Sequence, residues 1–259
     1  MSHKLSSNKT KEPESFSFEN WKVEVHRRAF RRSVSIYLYP KKPIKVVAGI
    51  MTSEKSIHDF LAAKRTWILK NMTKFAELAT QFPDKKIKSY ETFPFLGENL
   101  PLRMGITVLK KPFVAIQDGE LRLYIPRNEW SAEILSDEQP QLLREIREFY
   151  KREAVKKITE RTEHWAERMK LFPTQIKFRE QRTRWGSCNS RGVINFNWRL
   201  VVFTPEIIDY VIVHELAHLK HMNHSAHFWS LVKATVGEYS VWTQHLKRSH
   251  HQCEFLNLK

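Results

Sequence analysis

Cysteine is scarce in this 259-residue chain, which holds only Cys188 and Cys253. Two thiols build no disulfide framework and suit a reducing compartment, so a cytoplasmic protein is expected. Long apolar runs are missing as well. No segment approaches the roughly 20 apolar residues that cross a bilayer, so no membrane partner is expected. Met1 to Ser17 is polar and charged, without the apolar stretch of a signal peptide, and 1–17 reads as a flexible N-terminus. Acidic residues are outnumbered: 28 Asp+Glu stand against 44 Lys+Arg, a net charge of +16. With 41% hydrophobic content the chain can nevertheless bury a core, in one large or two modest domains.

What is present is concentrated around His214-Glu215-Leu216-Ala217-His218, followed by His224. On a helix, residues four apart lie on one face, so His214 and His218 can offer their imidazoles to a single ion. Glu215 is placed to take a proton from an activated water. Thr204-Pro205-Glu206 reads as N-cap, first-turn proline and first-turn acid. Ile207, Ile208, Val211, Ile212 and Leu216 then make the helix largely apolar. Histidines on a solvated face would be the ordinary reading of a bare pair. In an apolar helix, however, unpaired imidazoles and a carboxylate are costly to bury, and a metal removes that cost.

Catalytic zinc keeps three protein ligands and an open position. His224 is the favoured third ligand if the helix stops near Met222-Asn223, with Asn223 in a left-handed turn and Ser225 capping the next helix. Glu238 is the rival. His221 falls near the same face if the helix continues, and His221 and His227 otherwise read as polar surface or supporting residues. Tyr210 and Arg184 are candidates to stabilise an oxyanion, but either can equally be structural, so neither joins the catalytic set.

Upstream, Arg182-Thr183-Arg184-Trp185-Gly186-Ser187-Cys188, the turn Asn189-Ser190-Arg191-Gly192 and Val193 to Leu200 read as a hairpin leading into the metal-bearing helix. Together RTRWGSC, INFNWRL and IDYVIVHELAHLKHMNHSAHFW resemble the YgjP-like zinc metallopeptidases, which are related in pattern to SprT-like metalloproteases. The resemblance is dense from about Arg182 to Val232. It implies Zn2+ on His214, His218 and His224, Glu215 as the catalytic residue, a protein or peptide substrate, and the hairpin as part of a small sheet beside the cleft. Metzincin proteases share the histidine spacing, but their helix-ending glycine position holds His221 here and no Met-turn follows.

The expected fold class is α+β: a strand-rich N-terminal region with a helix, followed by a zincin-like catalytic domain with a small sheet and an HExxH active-site helix. The expected domains are 18–130, basic and β-rich, and 131–259, catalytic. Strands are expected at Trp21 to His26, Ser33 to Tyr39 and Lys45 to Ala48, and a helical stretch from Ile57 to Leu78, ending at Pro83. Hairpins are expected around Gly97-Glu98-Asn99 and Asp118-Gly119, then a long helix from Ser136 to Leu171.

Residues 1–130 carry 24 Lys+Arg against 13 Asp+Glu, and Arg27, Arg28, Arg31 and Arg32 form the tightest cluster. Such charge either keeps the protein soluble or draws polyanions, so nucleic acid is a candidate partner of the N-terminal half. Two function classes therefore compete. One is a zinc peptidase acting through Glu215. The other is a basic nucleic-acid-binding module with a structural metal, completed by Cys188 rather than His224. Hydrolysis of a non-peptide amide or ester is a third reading.

Overall fold

The structure, a computed structural model, describes residues 13–40, 42–81, 85–131, 140–181 and 183–248 together with Cys253, Phe255 and Leu256. It is α+β, with three small sheets and six α-helices among these residues. The chain divides into two compact units, Met1–Pro83 and Asp84–Lys259.

In the first unit β1 (Glu14–Phe18) and β2 (Trp21–Arg28) form an antiparallel hairpin, β4 (Ile44–Gly49) runs parallel to β2, and β3 (Ser35–Tyr37) closes the sheet in the order β1-β2-β4-β3. The inward positions Val23, Val25, Ile44 and Val46 meet Ile57, Leu61 and Ile68 in one core. These last three come from α1 (Glu54–Ala63) and α2 (Arg65–Gln81). Ser53 caps α1, its hydroxyl accepting the Ser56 N–H. The single helical stretch read from periodicity is thus two helices. They part at Lys64, whose N–H turns back to the carbonyls of Phe60 and Leu61. The strand β1 also corrects the expected flexible segment 1–17: Glu14 to Ser17 are paired with β2, while residues 1–12 lie outside the described residues. So does Pro83, the expected helix end.

The second unit begins with a four-stranded sheet of order β5-β6-β8-β7, from β5 (Thr92–Phe95), β6 (Glu98–Thr107), β7 (Phe113–Gln117) and β8 (Glu120–Pro126). The Asp118-Gly119 turn has positive φ at both residues, as a two-residue hairpin turn requires. The other hairpin turns at Leu96-Gly97, one residue earlier than expected, again with positive φ at both. A side chain at Gly97 would also run into Thr204, whose Cα lies 3.0 Å from the Cβ position.

These strands bury Phe93, Phe95, Leu102 and Leu123 in the same core as the long helix α3 (Pro140–Met169) and the elements that follow. That shared core is why the chain divides at 83/84, whereas the sequence placed the boundary near 130; residues 132–139, including the expected helix start at Ser136, lie outside the described residues. The rest comprises β9 (Gln175–Arg179), β10 (Gly186–Cys188) and β11 (Val193–Asn197), a 3-10 turn Trp198–Val202, and the helices α4 (Pro205–Ala217), α5 (Ala226–Val236) and α6 (Ser240–Arg248). The sheet order β10-β11-β9, antiparallel then parallel, leaves β10 at an edge.

Candidate metal centre

The centre is built from the end of α4. Pro205 opens that helix after Thr204, which occupies the N-cap position without a side-chain hydrogen bond. Its face toward α3 is pinned by a two-pronged ion pair, Arg161 Nε to Asp209 Oδ1 at 2.6 Å and Nη2 to Oδ2 at 2.5 Å. Ile208, Ile212, Val213 and Leu216 are fully buried. Burial therefore fixes the rotation of the helix and decides where its polar residues point.

α4 ends sooner than the sequence suggested. Its last helical residue is Ala217, and His218 is the C-cap, still with helical φ and ψ. The chain then tightens: Leu219 N–H bonds Leu216 O, and His221 N–H bonds Ala217 O. The expected left-handed Asn223 is absent, because these short turns reverse the chain without positive φ. Ser225 does cap α5, accepting the Phe228 N–H at 3.4 Å.

This reversal brings His224 back onto the helix end. His224 Nε2 lies 3.1 Å from His214 Nε2. One ring nitrogen from each of His214, His218 and His224 lies within 4.8 Å of the others. Phe228, fully buried, sits against all three rings at 4.9, 4.6 and 4.8 Å between centroids. His218 Nδ1 lies 3.1 Å from the His221 carbonyl, which only accepts, so the proton is on Nδ1 and Nε2 keeps its lone pair. Trp229 stacks on His224 at 5.4 Å, Tyr239 on Trp229 at 5.3 Å, and Tyr210 on Tyr239 at 5.5 Å.

The residues present fit a cation. Burial, then the proximity of His218 and His224, pushes His214 down to about 3. Burial is also the main cause lowering His218, opposed by the His221 carbonyl. Both imidazoles are therefore neutral near pH 7, the form that ligates metal. His214 Nδ1 is buried without a hydrogen-bond partner. Three imidazoles, those of His214 and His218 neutral, with no fourth protein ligand among the described residues form a set that can hold a metal ion with an open position.

Glu215 is 5% exposed, and its Oε2 has no hydrogen-bond partner. Burial raises its carboxyl to about 8, against the opposing pull of Arg184. It lies directly over β10. A Cβ at Gly186 would stand 2.6 Å from Glu215 Cγ and 2.7 Å from Cδ, so the glycine is what allows the strand and the carboxylate to approach. The hairpin is held by its turn, Asn189 Oδ1 accepting the N–H groups of Arg191 and Val193. Buried Asn197 ties down the preceding chain, donating to the carbonyls of Gln181 at 2.7 Å and Arg184 at 3.4 Å. Arg182, quoted in the motif, lies outside the described residues.

The other candidates separate. Glu238 is exposed and pairs with Lys233 at 3.2 Å, away from the histidine cluster. His221 and His227 stack on each other at 6.1 Å, and the first supports His218 through its carbonyl. Cys188 is not in the cluster; burial and the charge of Glu215 push its thiol up to about 11. Gly186, Asn197, Phe228 and Trp229 escaped the sequence reading as site residues. The glycine in RWGSC was the available signal for the first, and HFW after the last histidine for the last two.

Histidines gathered at a helix end with a buried carboxylate beside the first are the architecture of metallopeptidases. Comparison with known families agrees: residues 32–249 match the YgjP-like metallopeptidase domain. The chain belongs to the YgjP-like family and is a metallopeptidase. Among solved structures, the metallopeptidase zymogen of Pyrococcus abyssi abylysin is similar at 20% identity, covering 36% of this chain and 91% of its own, with a TM-score of 0.32. No curated protein matches the chain.

Proposed function

We propose that the protein is a zinc-dependent peptidase in which His214, His218 and His224 hold Zn2+ and Glu215 is the general base. The observation that carries this reading is the convergence of three imidazoles beside a buried carboxyl group with one oxygen lacking a hydrogen-bond partner. A structural metal has no use for that carboxylate, and Cys188 stands outside the cluster. The bound ion supplies Lewis-acid polarisation of the peptide carbonyl and acidifies a water.

Within the protein, Glu215 accepts the proton of the attacking water and delivers it to the leaving amine. Low solvent access keeps that proton from being lost between the two transfers. The edge strand β10 lies beside Glu215 and can take an extended peptide as an added strand, through main-chain hydrogen bonds. Such binding reads backbone more than side chains, so broad selectivity is expected. Phe228 and Trp229 hold the ligand rings in place by packing.

Zinc content and casein cleavage of the wild type and Glu215→Gln test the reading. Retained metal with cleavage reduced by a hundredfold or more is expected, the scale of lost general-base catalysis. Equal cleavage by the variant would overturn it. Activity on amide or ester panels but never on peptides would move the assignment to a non-peptide hydrolase.

A further inference from the structure

The first unit is basic on its own: residues 1–83 carry 16 Lys+Arg against 7 Asp+Glu. One end of its sheet concentrates a particular chemistry. Because β2 and β4 are parallel with Arg28 opposite Gly49, both strands leave the sheet at the same end. Their continuations are Ala29-Phe30 and Ile50-Met51, two turns lying side by side. Phe30 is 102% exposed, Met51 91% and Ile50 59%. Arg28 and Arg32, both exposed, bracket the aromatic ring in sequence.

This end is built rather than loose. Arg27 Nη1 donates to Gly49 O at 3.2 Å and Thr52 O at 2.5 Å, tying one turn to the other, and its Nε pairs with Glu14. Arg31 bonds Ser33 O at 2.9 Å and Ser35 Oγ at 2.5 Å, closing the segment after Phe30. Gly49 approaches the Arg31 backbone so closely that any Cβ there would collide with it. Phe30 is held at φ 60, a conformation that bulky residues rarely adopt. Of the four clustered arginines, two thus fix the turns and two face solvent.

We propose that this end of the sheet binds single-stranded nucleic acid, with a base stacked on Phe30, apolar contacts from Ile50 and Met51, and phosphates on Arg28 and Arg32. A single strand alternates apolar faces with negative charges, and the two turns offer the complementary alternation. Phe30 presents its whole ring to solvent from a fixed turn backbone and between exposed arginines, the arrangement on which an unpaired base stacks. The charge excess of the unit supplies long-range attraction for a polyanion. This inference is independent of the peptidase assignment.

Fluorescence anisotropy of the full-length protein with a labelled oligothymidylate of about 20 nucleotides tests it. Binding should weaken at least about tenfold between about 50 and about 200 mM salt. Phe30→Ala should weaken it roughly tenfold, and Phe30→Trp should preserve it. Arg28→Gln with Arg32→Gln should lower the salt slope by roughly 1.4. Glu215→Gln should bind as the wild type does, so failure here leaves the peptidase reading untouched. Absence of binding, unchanged affinity in Phe30→Ala, or Phe30-dependent binding only to phosphatidylcholine–phosphatidylserine vesicles would overturn the proposal.

Discussion

At the scale of single residues, the centre depends on two side chains and on one that is missing. Glu215 lies buried among apolar groups where a carboxylate is costly, and only Gly186 leaves room for it. Gly186→Ala forces the strand or the carboxylate to shift. We expect a stability loss of about 1–3 kcal/mol, typical of overpacking. Cleavage should fall at least about tenfold, since small misplacements of a catalytic group are expensive. Zinc content should be unchanged, because the atoms nearest to that position all belong to Glu215. Steady-state kinetics beside metal analysis separates the two effects; metal loss equal to the activity loss would argue against the packing account. Arg184, whose charge reaches Glu215, provides a second check. That charge lowers the Glu215 carboxyl, so Arg184→Ala should shift the acidic limb of the measured pH profile of cleavage to higher pH.

At the scale of elements, α4 provides two histidines and the turn before α5 provides the third. His224 is positioned by rings more than by hydrogen bonds, with Phe228 below it and Trp229 stacked on it. Trp229→Leu should therefore weaken metal affinity about 10–100-fold, the range seen when outer-shell support is lost. Trp229→Phe should largely retain it. Chelator competition and the visible spectrum of the cobalt-loaded protein check this, because the spectrum reports ligand geometry independently of turnover. Equal affinity in Trp229→Leu would mean that the turn backbone alone places His224.

At the scale of the whole molecule, a network in the second unit joins α3, the chain after β9 and the 3-10 turn. Arg199 is 6% exposed and donates to Glu180 at 2.5 Å, while Arg147 donates to the same carboxylate and to Leu256 O. Burial pushes Glu180 up, but its bonds to Arg147 and the charges of Arg199 and Arg147 outweigh this and hold it below 4.5. A carboxyl depressed in the folded state stabilises it above the unfolded value, and that contribution disappears as pH falls through the folded value. Thermal stability should therefore decline below pH 4.5, and less steeply in Glu180→Gln. At neutral pH that variant should lose about 1 kcal/mol, a modest figure because Glu180 is 40% exposed and screened. Thermal denaturation across a pH series measures both. Among the described residues no helix is long and apolar enough to cross a membrane.

The sequence by itself determined the α+β class, the central strands of the first unit, the Asp118-Gly119 turn, the capped α5 and the three histidines that the fold gathers. Each follows from local chemistry, in which periodicity, turn residues and i, i+4 spacing act over a few positions. Tertiary structure alone decided the rest. The hairpins β5 to β8 share one core with α3, so the units part at 83/84; such burial is a long-range fact that no local pattern records. β1 exists because β2 offers an edge to it, although its own composition looks like that of a tail. The place of Glu238 outside the cluster, the aromatic stack behind His224 and the glycine beneath Glu215 likewise depend on segments meeting in space. Spacing can bring candidate ligands within reach, and packing selects among them.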